Sequence, residues 1–323
     1  MNTPIKSRRS FLHHLALPMA APLLIGCGKK PKVPSVFRWS GIGFGIGMSM
    51  EIHGVQHEQG VRLGEFCESR IRAMEDAFSL YQENSELQHL NRERSLTQPS
   101  PLFRQLLRLS MELSLRTMGY FQPAIHGAWQ WLQAADTKTD LTSAPEWQRL
   151  CEASDLRFIE CGEDGPIRLL HPLTQISMNA IGQGFLADLV AARLREAGIA
   201  SAMLHLGESY AIGSHPEGRP WSLAVRGNDE SLIDTMDLTN CALAVSANSP
   251  ERMLIDPVSR EIRRNDRVAA VASTEGAAAA DAFATAFAAC PSDAWQKLTP
   301  NLQPDTNSQV RLWEGSQLVY LHG

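Results

Sequence analysis

Thr274–Ala289 reads TEGAAAADAFATAFAA, almost entirely small apolar residues interrupted by one carboxylate, Asp281, and one hydroxyl, Thr285. Alanine is the strongest helix former, so the run predicts a helix. Positions i and i+4 share a helix face with Cβ atoms about 5–6 Å apart, which sets Asp281 beside Thr285. A charge within so apolar a helix is expensive unless it is paired. A carboxylate and a hydroxyl side by side are hard oxygen ligands of the kind Mg²⁺ or Ca²⁺ prefers. The alternative from this stretch alone is a packed alanine helix whose Asp281 reaches water or a neighbouring N–H.

The chain of 323 residues is 44% hydrophobic, enough to bury a sizeable core in one large domain or two smaller ones. A formal net charge of −5 and an isoelectric point near 6.1 argue against nucleic acid as the main partner. Cysteines stand at 27, 67, 151, 161, 241 and 290 without a CxxC pair or a Cys/His cluster of zinc spacing, so no structural zinc is expected. No run of about 20 apolar residues is present to form a permanent membrane span.

Residues 1–27 have the layout of an export signal: Lys6, Arg8 and Arg9 precede a short apolar segment ending in small residues. Ser7-Arg8-Arg9-Ser10-Phe11-Leu12 resembles the twin-arginine signature, and Leu24-Ile25-Gly26-Cys27 resembles a lipobox, which would lipidate Cys27. Residues 28–35 then read as a tether and 36–323 as the folded domain. The expected location is periplasmic, anchored to the membrane through that lipid.

In the mature chain, Val36 to His53 is strand-like, with glycines at 41, 43, 45 and 47 that would let a backbone or ligand approach closely. Helical periodicity covers Val61 to Leu80, Leu102 to Met118 (ended by Gly119) and Trp147 to Ala153. Tyr120 to Ala124 reads as extended, Trp129, Trp131 and Leu132 as an aromatic patch, and Asp136 to Pro145 as a loop. Arg168 to Ser177 reads as a strand. Met178 to Gly184 then turns directly into a helix from Phe185 to Gly198, whose free N–H groups and positive dipole end suit a phosphate. Strands are expected at Ser201 to Gly207, Trp221 to Arg226, Leu243 to Ser246, Met253 to Ile255 and Val268 to Ala272. His205 reads as a structural strand histidine.

Several segments occur in the order seen in one family. Ser79-Leu80-Tyr81 with Asn84-Ser85-Glu86-Leu87 and Asn91 resembles STYxxxSELSxxN, and Gly119-Tyr120-Phe121-Gln122-Pro123 resembles GxFDPT. Ala180 to Phe185 with Asp188 resembles a GIAKGYxxD turn and helix. Leu206-Gly207, Gly218-Arg219-Pro220-Trp221, Ile255-Asp256-Pro257 and Ala280 to Ala286 resemble nLGG, GxPW, HIIDPxTG and ADALxTA. The ordered set, spanning nearly the whole mature chain, is similar to the ApbE-type FAD:protein FMN transferases.

The resemblance implies an α/β fold of mixed α+β type, a single domain with mixed sheets flanked by helices and an FAD cleft. It implies transfer of the FMN half of FAD to a Ser or Thr hydroxyl of a partner flavoprotein, with release of AMP. Cutting the diphosphate develops negative charge that a divalent ion would neutralise. By position, Asp281 and Thr285 with the backbone carbonyl of Ala180 would hold Mg²⁺. The turn from Gly182 through Gln183 to Gly184 would face the diphosphate. Tyr81 and the Ile46–Gly47 backbone would contact flavin or adenine, Ile255 would line the cleft, and Phe121, Gln122 and Ser177 are further implied nucleotide contacts. The chain departs from the pattern at Gln183 and Gln122, at Gly207-Glu208-Ser209 and at Ser246-Ala247-Asn248, with Glu251-Arg252 kept. Met253 or Leu254 takes the place of the motif histidine, a candidate acid/base group. Those departures leave two other expectations open: an FAD-binding lipoprotein of this fold without transfer activity, and an FAD pyrophosphatase.

Overall fold

A computed structural model describes residues 35–135, 141–249, 253–302 and 308–323. The expected signal and lipobox, nearly all of the tether, Glu251-Arg252 and the start of the Asp136 loop lie outside the described residues. In chain order the elements are β1 (Val36–Gly43), β2 (Ile46–His53), α1 (His57–Phe78), α2 (Glu86–Glu93), β3 (Ser95–Leu96), α3 (Pro101–Arg116), α4 (His126–Ala134), α5 (Pro145–Ala153), β4 (Ile159–Cys161) and β5 (Ile167–Leu169). They continue with α6 (Gly182–Glu196), β6 (Ala202–His205), β7 (Ser209–Ile212), β8 (Trp221–Arg226), β9 (Leu232–Leu238), β10 (Ala242–Asn248), β11 (Leu254–Asp256), β12 (Glu261–Arg263) and β13 (Arg267–Ser273). The last are α7 (Ala277–Ala289), α8 (Trp295–Leu298), β14 (Gln309–Glu314) and β15 (Gln317–His322).

An eight-stranded sheet of order β1-β2-β6-β7-β10-β13-β14-β15 is antiparallel at every pairing. Three small sheets accompany it, and a parallel bridge joins Ile125 to Gln175. The mixed α+β fold expected from the sequence is the one observed.

The alternation of side chains explains how this sheet is covered. In β10, Ala242 and Ala244 join the core under the helices, while Leu243 joins a second core formed with Trp221, Leu223, Val225, Met236 and Leu238 of the β8–β9 hairpin. β13 does the same with Ala269 and Val271 on one face and Val268, Ala270 and Ala272 on the other. Its unbroken apolar run is therefore that of a strand buried on both faces. α7 packs on β10, β13 and α6, alanine against alanine, which lets the helix approach the sheet closely.

The segment Val36 to His53 is two strands, not one. Phe44 (φ +51°) and Gly45 (φ +74°) form a two-residue turn that pairs Gly43 with Ile46. Positive φ at both central residues matches the twist of the flanking strands. Glycine serves packing here: a Cβ on Gly60 of α1 would lie 2.3 Å from the Phe37 ring, and one on Gly64 2.8 Å from Trp39. The expected strand from Arg168 to Ser177 is only the short β5, and the aromatic patch at Trp129 and Trp131 lies on α4.

The five described cysteines are all free thiols, and burial pushes those of Cys67, Cys151 and Cys290 up to about 12, so they are inert at neutral pH. Among the described residues no helix is long and apolar enough to cross a membrane.

Candidate active-site cleft

Four segments converge on one cleft of about 610 Å³, its open mouth included. They are the chain from Tyr120 into α4, the turn from Ser177 to Ala180, the start of β11, and the C-terminal half of α7. Each is held by a local device readable in the residues.

Asn91 of α2 clamps the approach to the turn. Its side-chain amide donates to the Ile176 carbonyl at 2.9 Å, and its side-chain oxygen accepts the Ile176 N–H at 2.8 Å. Ser85 caps α2 by accepting the Gln88 N–H at 3.0 Å, and Glu86 accepts the Ser100 N–H at 2.7 Å, tying α2 to the start of α3. The Ser177 N–H donates to the Pro123 carbonyl at 2.9 Å, so the 120–126 and 177–180 segments are held side by side. Gln122, where the family pattern has Asp, uses its side-chain oxygen to accept the Ala124 N–H at 3.2 Å.

α6 and α7 are locked together. Gly184 lies so close to α7 that a Cβ there would sit 2.4 Å from the Ala277 carbonyl oxygen. Asp188, one turn along α6, accepts the N–H groups of Ala277 at 2.7 Å and Ala278 at 2.9 Å and so caps α7. Burial pushes the Asp188 carboxyl up to about 6 against those two bonds. α7 then carries Asp281, buried, and Thr285, which lines the cleft one turn later.

Asp256 is wholly buried and does structural work. It accepts the N–H groups of Val258 at 2.9 Å and Ser259 at 3.1 Å and pairs with Arg263, fixing the β11–β12 turn that presents Leu254, Ile255 and Pro257 to the cleft. Tyr120 and Trp129 add aromatic walls. Desolvation, reinforced by the Asp256 carboxylate, raises the Tyr120 phenol above its ordinary range, so it remains a proton donor.

Of the residues expected at a site, Phe121, Gln122, Ser177, Ala180, Ile255 and Thr285 line this cleft. Gly182 and Gln183 open α6 directly behind Ala180. The buried Gln183 side chain lies against Gly207, where a Cβ would come within 2.1 Å of its Oε1, and that Oε1 finds no hydrogen-bond partner among the described residues. Ile46 and Gly47 begin β2, and Tyr81 is 78% exposed; none of the three is among the cleft's lining residues. His205 bonds Ser209 Oγ at 3.0 Å.

Sequence reasoning did not place His126, Trp129 or Asn179 among the site residues: Trp129 read only as part of an aromatic patch and Asn179 only as part of the turn before α6. His126 is buried, stacks on Trp129 at 6.0 Å between ring centroids, and is the one imidazole among the described lining residues. A histidine at the first position of a helix beside an aromatic patch carries no spacing signal, so the sequence offered nothing to single it out.

The fold is that of known flavin-transferase structures. The flavin transferase ApbE from Vibrio cholerae matches 90% of this chain and 97% of its own with a TM-score of 0.72 at 16% identity. The apo form of the Pseudomonas stutzeri flavinyl transferase ApbE matches 90% and 94%, also at 0.72, with 19% identity. A profile of the ApbE family matches residues 44–308, and the chain belongs to the ApbE family. The FAD:protein FMN transferase of Rhodobacter capsulatus is 25% identical over 275 residues, 80% of this chain and 52% of that protein. The chain thus spans about half the length of the curated relative it matches.

Proposed function

We propose that this protein is a Mg²⁺-dependent FAD:protein FMN transferase, moving FMN from FAD to a Ser or Thr hydroxyl of a partner flavoprotein and releasing AMP. The observation that carries this reading is the convergence of four motif-bearing segments on one cleft that pairs aromatic and apolar walls with oxygen donors. Tyr120, Phe121 and Trp129 provide the flat surfaces that a planar ring stacks on.

The donor set fits the ion. Asp281, Thr285 and the Ala180 carbonyl offer hard oxygens, as Mg²⁺ requires, without a competing thiol or imidazole among the three. When bound there, the ion would neutralise charge developing on the diphosphate. The chain's own residues do the rest. The segment from Ser177 to Ala180 and the N-terminus of α6 orient the diphosphate, and the cleft walls hold the flavin and exclude water.

In the transfer, the acceptor hydroxyl oxygen forms a bond to the FMN-side phosphorus. The bridging P–O bond breaks with its electron pair leaving on AMP. The hydroxyl proton passes to a base, and with Met253 or Leu254 at the family's histidine position, His126 is the cleft's group for that role.

Incubating the protein with FAD and Mg²⁺, with and without a candidate acceptor and with an EDTA control, tests this. AMP release that needs both metal and acceptor, with FMN left on the acceptor, is the expected result. The absence of the motif histidine at Met253 or Leu254, with Glu208-Ser209 in place of the motif's second Gly and Asp/Asn, motivates a second reading, a flavin carrier of the same fold, whose signature is FAD bound but intact. AMP and free FMN without acceptor would instead mark a pyrophosphatase. Export through the twin-arginine-like signal and anchoring through a lipidated Cys27 are part of the proposal. In a Gram-negative host the wild type should fractionate with membranes and Cys27→Ala should not.

A further inference from the structure

β2 sends Met48, Met50 and Ile52 into the helix-side core, so Glu51 and His53 emerge on the opposite face of the sheet. Two residues apart on one face, they stand together, with His53 Nε2 2.7 Å from Glu51 Oε1. The loop after β7 crosses the same face and is pinned there. Ser201 Oγ donates to the Ser214 carbonyl at 2.8 Å, the His215 N–H to the Arg219 carbonyl at 2.9 Å, and the Gly218 N–H to the His215 carbonyl at 2.8 Å. Trp221 backs both imidazoles, its ring 4.8 Å from that of His215 and 5.8 Å from that of His53. One ligand atom from each of Glu51, His53 and His215 lies within 4.8 Å of the other two.

We propose that Glu51, His53 and His215 form a binding site for a divalent transition metal of the zinc type, separate from the oxygen-lined cleft. Two imidazoles and one carboxylate are the donors that Zn²⁺ accepts and Mg²⁺ does not favour. Tetrahedral bonds of zinc length place ligand atoms roughly 3.3 Å apart, a spacing that small side-chain rotations reach from the observed one. The side chains of Glu51, His53 and His215 are 29%, 10% and 16% exposed, leaving room for a water as fourth ligand.

The surroundings orient the donors. Arg38 Nε donates to Glu51 Oε2 at 3.0 Å, which leaves Oε1 turned to the imidazoles. His215 Nδ1 accepts the Glu217 N–H at 3.3 Å and lies 3.5 Å from Glu217 Oε2, so Glu217 holds the ring in place beside the other two donors. An ion here would cross-link β2 to the loop after β7 and hold the rim of the second core.

Zinc affinity of the full-length protein, stripped with EDTA and dialysed, is read by competition with a chromogenic chelator in excess Mg²⁺. The wild type should hold one Zn²⁺ per chain, and His215→Ala and His53→Ala should weaken it by about a hundredfold or more. Asp281→Ala should leave it unchanged. Co²⁺ should give the intense visible absorption of a four- or five-coordinate site in the wild type and not in His215→Ala. Equal zinc affinity in wild type and both histidine variants, or loss of binding in Asp281→Ala alone, would overturn the site. Far-UV circular dichroism of the metal-free proteins checks folding; if His53→Ala unfolds, His215→Ala, on a loop, decides.

Discussion

Asp188 caps the helix of its neighbour: its Oδ1 accepts the Ala277 N–H at 2.7 Å across the α6–α7 contact. The same carboxylate takes the Ala278 N–H, so the register of Asp281 and Thr285 is set from α6, one helix away. Removing both bonds leaves two buried donors open. Asp188→Ala should lower stability by about 2 kcal/mol at pH 5, measured by urea unfolding.

The same residue gives a pH signature. Its carboxyl, ordinarily near 3.8, is pushed up to about 6 by burial, so the folded state binds its proton more tightly than the unfolded state. A raised folded-state pKa contributes stability that is fully present below about pH 4 and is lost as pH rises through 6. With Asp188→Asn as the non-titrating reference, the wild type's stability relative to the variant should fall by roughly 3 kcal/mol between pH 3.5 and 7. A difference that grew with pH would show that the two N–H bonds outweigh desolvation.

Asp281→Ala should abolish Mg²⁺-dependent AMP release while circular dichroism and melting temperature stay close to wild type. Unchanged turnover in that variant would sink the metal assignment.

Gly184→Ala should be among the most damaging single-methyl changes. Its Cβ would meet the Ala277 carbonyl at 2.4 Å, a backbone atom that cannot rotate away. Separating α6 from α7 should cost about 3 kcal/mol, seen as a lower urea midpoint, with FAD affinity reduced alongside.

His126→Gln should reduce transfer about a hundredfold while leaving FAD affinity within a few-fold, in keeping with loss of a general base. If kcat stays at the wild-type level, the proton goes elsewhere.

The alanine run at Thr274–Ala289, the turn at Ala180–Gly184 and the long helices were legible because their period and composition act over a few neighbouring residues. The motif order carried Phe121, Gln122, Ser177, Ala180, Ile255 and Thr285 to the cleft. Features that depend on residues far apart in the chain emerge only once it is folded. β7, β9, β12, β14 and β15 escaped notice because a short strand is stabilised by its partner, not by its own composition. The Val36–His53 hairpin was hidden because Phe44, a residue with no turn preference, takes a left-handed conformation that pairing enforces. Asp188, Asn91 and Asp256 act through backbone groups on other elements, which no local pattern announces. The meeting of Glu51 and His53 with His215 could not be read from spacing either, since 162 residues separate His53 from His215 and only the sheet and the pinned loop close that gap.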